Sequence, residues 1–354
     1  MREAYYHKTK TYNYKGAVHI HTVFSDGSGD VDKITKAAKA SGLDWILITD
    51  HNNMDVSEGI INGVYVVKGE EISPVDANHY LALDIKNVIK PDVDIKKTVE
   101  AVSKQGGFGF AAHPDESLSR NNNHKPLRWT DKNVIPDGVE IWNWFSQWGD
   151  NYSDENFLKI VHSYFFKDKY VTKPYKETLK WWDELNDKSE NIVPAIGGVD
   201  AHGMLVKKYL VPVVIFPYKY MFKTIVNEIN LLQPLSKNFE EARAQILSAL
   251  KLGHNIIINS QNCEKNPDIF VKNHNEIVSS GRTILLDSET CLIVKCYKKF
   301  KISVLKNGVE IESVNAKELQ LPLTDSGKYR VEIEVREWGA VYSNPIIVKR
   351  HNFE

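Results

Sequence analysis

His19-Ile20-His21 sits at the end of a short apolar run, Ala17–Ile20. In a strand, residues i and i+2 project from the same face, so both imidazoles can reach one metal ion. Asp26 follows in a loop of Ser25, Asp26, Gly27, Ser28 and Gly29, where its carboxylate can fold back over the strand end. Asp50-His51 directly follows the apolar run Trp45–Thr49, and Glu70-Glu71 follows Val64–Lys68. His79 precedes Tyr80–Asp84, and His113, itself followed by Pro114, follows Phe108–Ala112. Asp200-Ala201-His202 follows Val193–Gly197 and a Gly197-Gly198 step. Singly, each residue reads as a cap, a turn residue or a core histidine. Together they place titratable donors at the ends of five predicted strands and the start of a sixth. Imidazole combined with carboxylate suits Zn, Mn or Fe. The set exceeds the need of one tetrahedral ion, so two or three divalent metal ions are expected.

Those donors need elements to hold them. Up to about residue 260 the chain alternates strand and helix. Val31–Ser41 carries Val31, Ile34, Ala37 and Ala38 at helical spacing, with Gly42 as its stop. Ile95–Gln105 ends at Gly106-Gly107, and Glu240–Leu252 ends at Gly253. Val139–Trp142 repeats the strand pattern. Short strands separated by helices predict a largely parallel sheet or barrel, whose active site gathers at the C-terminal ends of the strands. From Cys263 onward the pattern becomes period-2 alternation, in Cys291–Tyr297, Lys301–Lys306, Tyr329–Val335 and Pro345–Lys349. Asn307-Gly308 between two such runs is a hairpin signal. All three cysteines lie after residue 262, whereas seven of the eight tryptophans and ten of the twelve histidines lie before it. The expected division is therefore a barrel over residues 1–262 and an immunoglobulin-like β-sandwich over residues 263–354.

Composition narrows the function. A chain of 354 residues with 42% hydrophobic and 26% charged residues can bury two cores, which excludes wholesale disorder. Lys plus Arg total 45 against 46 for Asp plus Glu, a balance that argues against a general nucleic-acid or membrane-surface binder. Cys263, Cys291 and Cys296 make neither a disulfide framework nor a zinc ribbon, so any metal must be held by histidine and carboxylate. The first sixteen residues, MREAYYHKTKTYNYKG, lack the apolar stretch of a signal peptide, and a cytoplasmic location is the expectation.

The ordered segments KGAVHIHTVFSDGSG, LDWILITDHNN, VVKGEEIS, NHYLAL, GFAAHPDE and AIGGVDAHG resemble the PHP (polymerase and histidinol phosphatase) superfamily of metal-dependent phosphoesterases. The likeness covers residues 16 to about 203. It implies an α/β fold, a distorted (β/α)7 PHP barrel, with a metal cluster at the rim. Carried over by motif, the implied metal ligands are His19, His21, Asp26, His51, Glu71, His79, His113, Asp200 and His202. Glu71, third in G-x-E, is the implied bridging carboxylate. Asp26 stands where some relatives place a histidine. The layout after His113 and the segment GKYRVEIEVREWGAVYSNPIIV resemble the CehA/McbA-type branch, which includes carbamate and ester hydrolases.

The leading expectation is a phosphoesterase acting on a small phosphorylated molecule or nucleotide through a metal-activated hydroxide. No G-x-S-x-G elbow or P-loop offers another route. Asp50, as a group orienting a ligand imidazole, and His202 are the candidate catalytic residues. Glu140, Asn143, Arg120 and Trp142 are candidate substrate contacts, with Lys125 and Arg128 as further anion binders. Trp144, Phe145 and Trp148 join Trp142 as walls of an apolar pocket. Two rival readings stand beside this one. The same centre could cleave carboxylic or carbamic esters, or the chain could be a non-catalytic, metal-stabilised binding module.

Overall fold

The computed structural model describes residues 2–6, 9–75, 77–117, 127–150, 166, 169–206 and 213–350. The chain forms two compact units, one of Lys15–Thr178 with Ile196–Val226, the other of Met1–Tyr14, Leu179–Ala195 and Asn227–Glu354. It is an α/β fold with a strand-rich C-terminal region. Among the described residues no helix is long and apolar enough to cross a membrane.

The first unit is built on a mixed sheet. Gly16–Val18 pairs in parallel with Trp45–Leu47, and the strand Trp45–His51 pairs in parallel with Val64–Ile72 along its full length. Trp45, Ile46, Leu47 and Ile48 have no exposed surface, as expected of a strand covered on both faces. Gly16 is required here, because a Cβ would overlap the Trp45 ring. Tyr80–Leu83 runs antiparallel to both Val64–Ile72 and Phe108–Ala111, and Phe108–Ala111 is parallel to Gly138–Asn143. Gly59–Ile61 also runs antiparallel to Val64–Ile72, so the sheet is mixed rather than wholly parallel. The link from Ile72 to Tyr80 is too short for a crossover helix, so the chain must turn back on itself. Beyond the strand Ala195–Gly198, Val199 and Ala201 donate backbone hydrogen bonds to Val18 and His19, and Ile20 bridges Ala201 in parallel.

The helices follow their sequence signals. Asp30 caps Val31–Ala40 by accepting from Lys33 N at 2.8 Å, and Ile34, Thr35 and Ala38 form its buried face. Asp94 caps Ile95–Lys104 in the same way.

In the second unit, Cys291–Lys306 is one long strand rather than two, because an irregularity between Lys295 and Phe300 bends it without ending its pairing. Asn307 and Gly308 both take positive φ, at 48° and 78°, and turn the chain into Val309–Pro322. Cys291–Lys306 also pairs with Gly327–Val335, which pairs with Trp338–Ser343 and Ile346–Lys349. The segment Leu179–Ala195 belongs to this unit through side chains. Arg330, 3% exposed, forks onto Asp183 with two contacts of 2.7 Å and reaches Glu332 at 2.6 Å. Its guanidinium lies 5.1 Å from the Trp182 ring centroid. Lys328 Nζ donates to the carbonyls of Asn186, Ser189 and Asn191, where the C-terminal end of a helix attracts a cation.

Removing one partner of a buried, bidentate pair strands the other charge. Asp183→Ala is expected to lower stability by about 3 kcal/mol, read from the urea unfolding midpoint, with Arg330→Ala of similar size and the double variant well short of additive.

Candidate metal centre

Strand direction explains where the donors come from. His51 ends Trp45–His51, Glu71 lies near the end of Val64–Ile72, and His113 follows Phe108–Ala111. Tyr80–Leu83 runs the opposite way, so its beginning reaches the same rim, and His79 precedes it. Glu70 and Glu71 alternate faces. Glu71 turns into the cluster, whereas Glu70 accepts from Ile89 N at 2.9 Å, and burial raises its carboxyl to about 7.

Glu71 is the hub. Its Oε2 lies 3.2 Å from His19 Nε2, 3.3 Å from His21 Nε2 and 2.9 Å from His51 Nδ1. Its Oε1 lies 2.8 Å from His79 Nδ1 and 3.3 Å from His113 Nε2. Asp200 Oδ1 faces His21 Nε2 at 3.2 Å, His202 Nδ1 at 3.4 Å and His19 Nε2 at 3.6 Å. Asp26 Oδ1 faces His202 Nε2 at 3.2 Å, His51 Nε2 at 3.7 Å and His21 Nδ1 at 3.8 Å. All nine residues of the motif set thus lie together. Asp26, with its side chain 52% exposed, and His51, at 26%, form the open edge.

The donors divide into overlapping sets that could each hold an ion: His21, Asp26, His51 and His202; His19, His113 and Asp200; His19, His21 and Glu71; His51, Glu71 and His79. The fit to cations is visible in unpartnered atoms. His19 Nε2, both His21 ring nitrogens and Glu71 Oε2 are buried without a hydrogen-bond partner. Four such atoms in one place are costly unless a ligand satisfies them. Three of the candidate donors also hold strained backbone. His19, His113 and Asp200 have φ of 67°, 29° and 52°.

The electrostatics carry the same message. Burial would raise the Glu71 carboxyl, but His51, His19 and His79 hold it well below the usual carboxylate range. Burial likewise opposes ionisation of Asp200, which His19 and His202 overcome, and of Asp26, which His202 brings down to about 2. Burial keeps His21 neutral, its imidazole lowered to about 3. Burial opposes the charge on His113 too, yet Glu116 and Glu71 raise it to about 9. The carboxylates draw protons onto imidazoles, and a divalent cation would take the place of those protons.

The other sequence candidates fall around this cluster. Among the described residues, Asp50 meets no imidazole. Its Oδ1 accepts from Thr22 N at 2.7 Å and Ser25 Oγ at 2.5 Å, and its Oδ2 accepts from Thr22 Oγ1 at 2.7 Å. That geometry gives Asp50 a role in holding the loop that carries Asp26, rather than contact with a reacting atom. Glu140, 1% exposed, sits behind His19, with Oε1 2.8 Å from His19 Nδ1. Asn143 Nδ2 donates to Glu140 at 3.0 Å. Trp142 is 1% exposed and donates to Gln147, so it packs in the interior. It lines a small cavity with His113, Glu140 and Asn143. Trp144 is fully buried. Phe145 lies 5.3 Å from the His202 ring and stacks with Trp148, which meets Phe216 at 4.7 Å, so an aromatic wall flanks His202. The Arg128 carbonyl accepts from Asn78 N. Arg120 and Lys125 lie outside the described residues.

Two contributors carried no sequence signal of their own. Tyr218 Oη lies 2.8 Å from the carbonyls of both His21 and His202 and accepts from the amides of Ser28 and Gly29. It pins both ligand backbones and the loop between them. Glu116, 2% exposed, approaches His113 Nδ1 at 3.1 Å and accepts from Ser146 Oγ. Its only trace is its place three residues after His113.

Residues 17–255 match the PHP domain family, and the chain belongs to that family. A stretch of 147 residues is 28% identical to Uncharacterized protein MJ1587 of Methanocaldococcus jannaschii, covering 36% of this chain and 81% of that protein. A two-domain protein from Bacteroides vulgatus ATCC 8482, described as containing a predicted PHP-like metal-dependent phosphoesterase, aligns over 95% of both chains at 16% identity with a TM-score of 0.47. PsfC from Pseudomonas syringae PB-5123 aligns over 67% of this chain and 96% of its own at 10% identity, with a TM-score of 0.38.

Ion binding here must release protons from raised imidazoles such as His113. Apparent Zn2+ affinity, measured by competition with a chromogenic chelator, is therefore expected to strengthen as pH rises from 6 towards 9. The gain should shrink in His113→Asn, because one competing proton is gone.

Proposed function

We propose that the chain is a metal-dependent phosphoesterase that hydrolyses phosphate esters of a small molecule or nucleotide, using two or three ions of Zn, Mn or Fe. The observation that carries this reading is the Glu71 carboxylate, whose two oxygens divide five imidazoles between them. A carboxylate so placed suits bridging of two cations. When bound, such ions supply Lewis acidity, activate water and neutralise charge developing on phosphoryl oxygens.

The chain's own residues do the rest. His19, His21, His51, His79, His113 and His202 supply neutral nitrogen donors, and Asp26, Glu71 and Asp200 supply the anionic oxygens. The exposed edge at Asp26 and His51 gives a substrate its approach. Phe145, beside His202 and backed by Trp148, gives that side of the site an apolar wall for the part of the substrate that is not phosphate. The same wall favours a second reading, in which an aryl or alkyl carboxylic or carbamic ester is cleaved at the same centre.

One experiment separates these. Metal content is measured on protein prepared without chelator. Phosphomonoester, phosphodiester and carboxylic ester substrates are then assayed with wild type and His19→Ala. The expected result is at least two ions per chain and phosphoester hydrolysis that falls at least 100-fold in His19→Ala. Hydrolysis of carboxylic esters alone would promote the second reading. Less than one ion per chain, with no hydrolysis after adding Mn or Zn, would sink both.

A further inference from the structure

We infer that two buried carboxylates outside the ligand set, Glu140 and Asp50, each position a different ion site, so that the two sites can be lost separately. This rests on the metal-centre reading above. Two of the donor sets share no residue: His19, His113 and Asp200 form one, and His21, Asp26, His51 and His202 form the other.

Glu140 serves the first set. Its Oε1 takes His19 Nδ1 at 2.8 Å, and its Oε2 accepts from the His113 backbone amide at 2.8 Å. Asn143 Nδ2 donates to Glu140 Oε2 at 3.0 Å and lies 3.4 Å from Asp200 Oδ2. All three members of the set are therefore touched by Glu140 or Asn143. A proton held on His19 Nδ1 by Glu140 leaves the Nε2 lone pair turned to the cluster, and that atom has no hydrogen-bond partner. Gly198 makes room for this, since a Cβ there would overlap Glu140 Oε1 and stand 3.1 Å from His19 Cβ.

Asp50 serves the second set. It accepts from Thr22 N, Thr22 Oγ1 and Ser25 Oγ, and Thr22 Oγ1 in turn accepts from Phe24 N at 3.1 Å. The turn from His21 to Asp26 is thereby fixed at both ends. Among the described residues, neither carboxylate hydrogen-bonds to a member of the other's set.

The test uses the full chain loaded with Zn2+, read by elemental analysis and by chelator competition, with circular dichroism to confirm folding. Glu140→Gln and Gly198→Ala are each expected to weaken one ion 10- to 100-fold and leave the others unchanged. Asp50→Asn is expected to weaken a different ion. Site identity comes from combination with ligand variants. Glu140→Gln should add nothing to His113→Ala but should remove a further ion from Asp26→Ala, and Asp50→Asn should show the reverse pattern. Gly198→Ala changes no donor, so a match to Glu140→Gln marks positioning rather than loss of a ligand. The inference is overturned if folded Glu140 and Asp50 variants keep full stoichiometry and affinity, or if either loses all ions together. A folded wild type that binds no Zn2+ would instead overturn the metal reading itself.

Discussion

The structure depends on one buried carboxylate shared by five imidazoles. Removing a carboxylate from water costs several kcal/mol unless the protein surrounds it with compensating partners. Glu71, 1% exposed, is so surrounded, and strand register does most of the arranging. The parallel neighbour places His51 opposite Glu71. The antiparallel neighbour pairs Tyr80 with Ile72, so the residue before Tyr80 arrives at the same level, and that residue is His79. A sheet with every strand parallel would deliver the start of that strand to the opposite end. The reversed strand is thus part of how the site is made.

Bringing the remaining donors into the cluster strains the backbone. His19, His113 and Asp200 each hold a left-handed conformation as the chain leaves or passes a strand, at a cost of about 1–3 kcal/mol apiece. Such conformations persist only where the surroundings over-determine them. Here the backbone of His19 accepts from Ala201, that of Ala201 from His21, and the amide of His113 is tied to Glu140. Tyr218 binds the carbonyls of His21 and His202 at one oxygen. These ties hold the candidate donors in place through the protein's own hydrogen bonds.

Much of this was legible in the sequence, for a definite reason. Strand ends and period-2 alternation are local patterns, and His19, His21, His51, Glu71 and His113 follow them. Asp50 shows the limit of that logic. It adjoins His51, and adjacency in a strand means opposite faces, so its carboxylate meets Thr22 and Ser25 instead of an imidazole. Tyr218 acts through packing across the fold, which no spacing encodes. The strand Val309–Pro322, which pairs with Cys291–Lys306, is announced by the Asn307-Gly308 hairpin signal, but its full length is not, because it is exposed along most of that length. The grip of Arg330 on Asp183 joins residues 147 apart in sequence and leaves no local mark on either.

The charge balance of the cluster also bears on how an anionic substrate would be met. Among the described residues, the ionic partners of Glu71, Asp200 and Asp26 are all histidines. Imidazoles neutralise such groups only while protonated, and His21, deep in the cluster, stays neutral because burial lowers it. The carboxylates therefore depend on raised imidazoles such as His113 and His202 for their countercharge, and that charge is spent on the carboxylates and leaves little for an incoming phosphate. Divalent ions supply positive charge locally, without any lysine or arginine. A net charge of -1 over the whole chain is therefore compatible with an anionic substrate, provided that cations are bound. The same carboxylates that raise the imidazoles would, with cations bound, carry the charge that an anionic substrate needs.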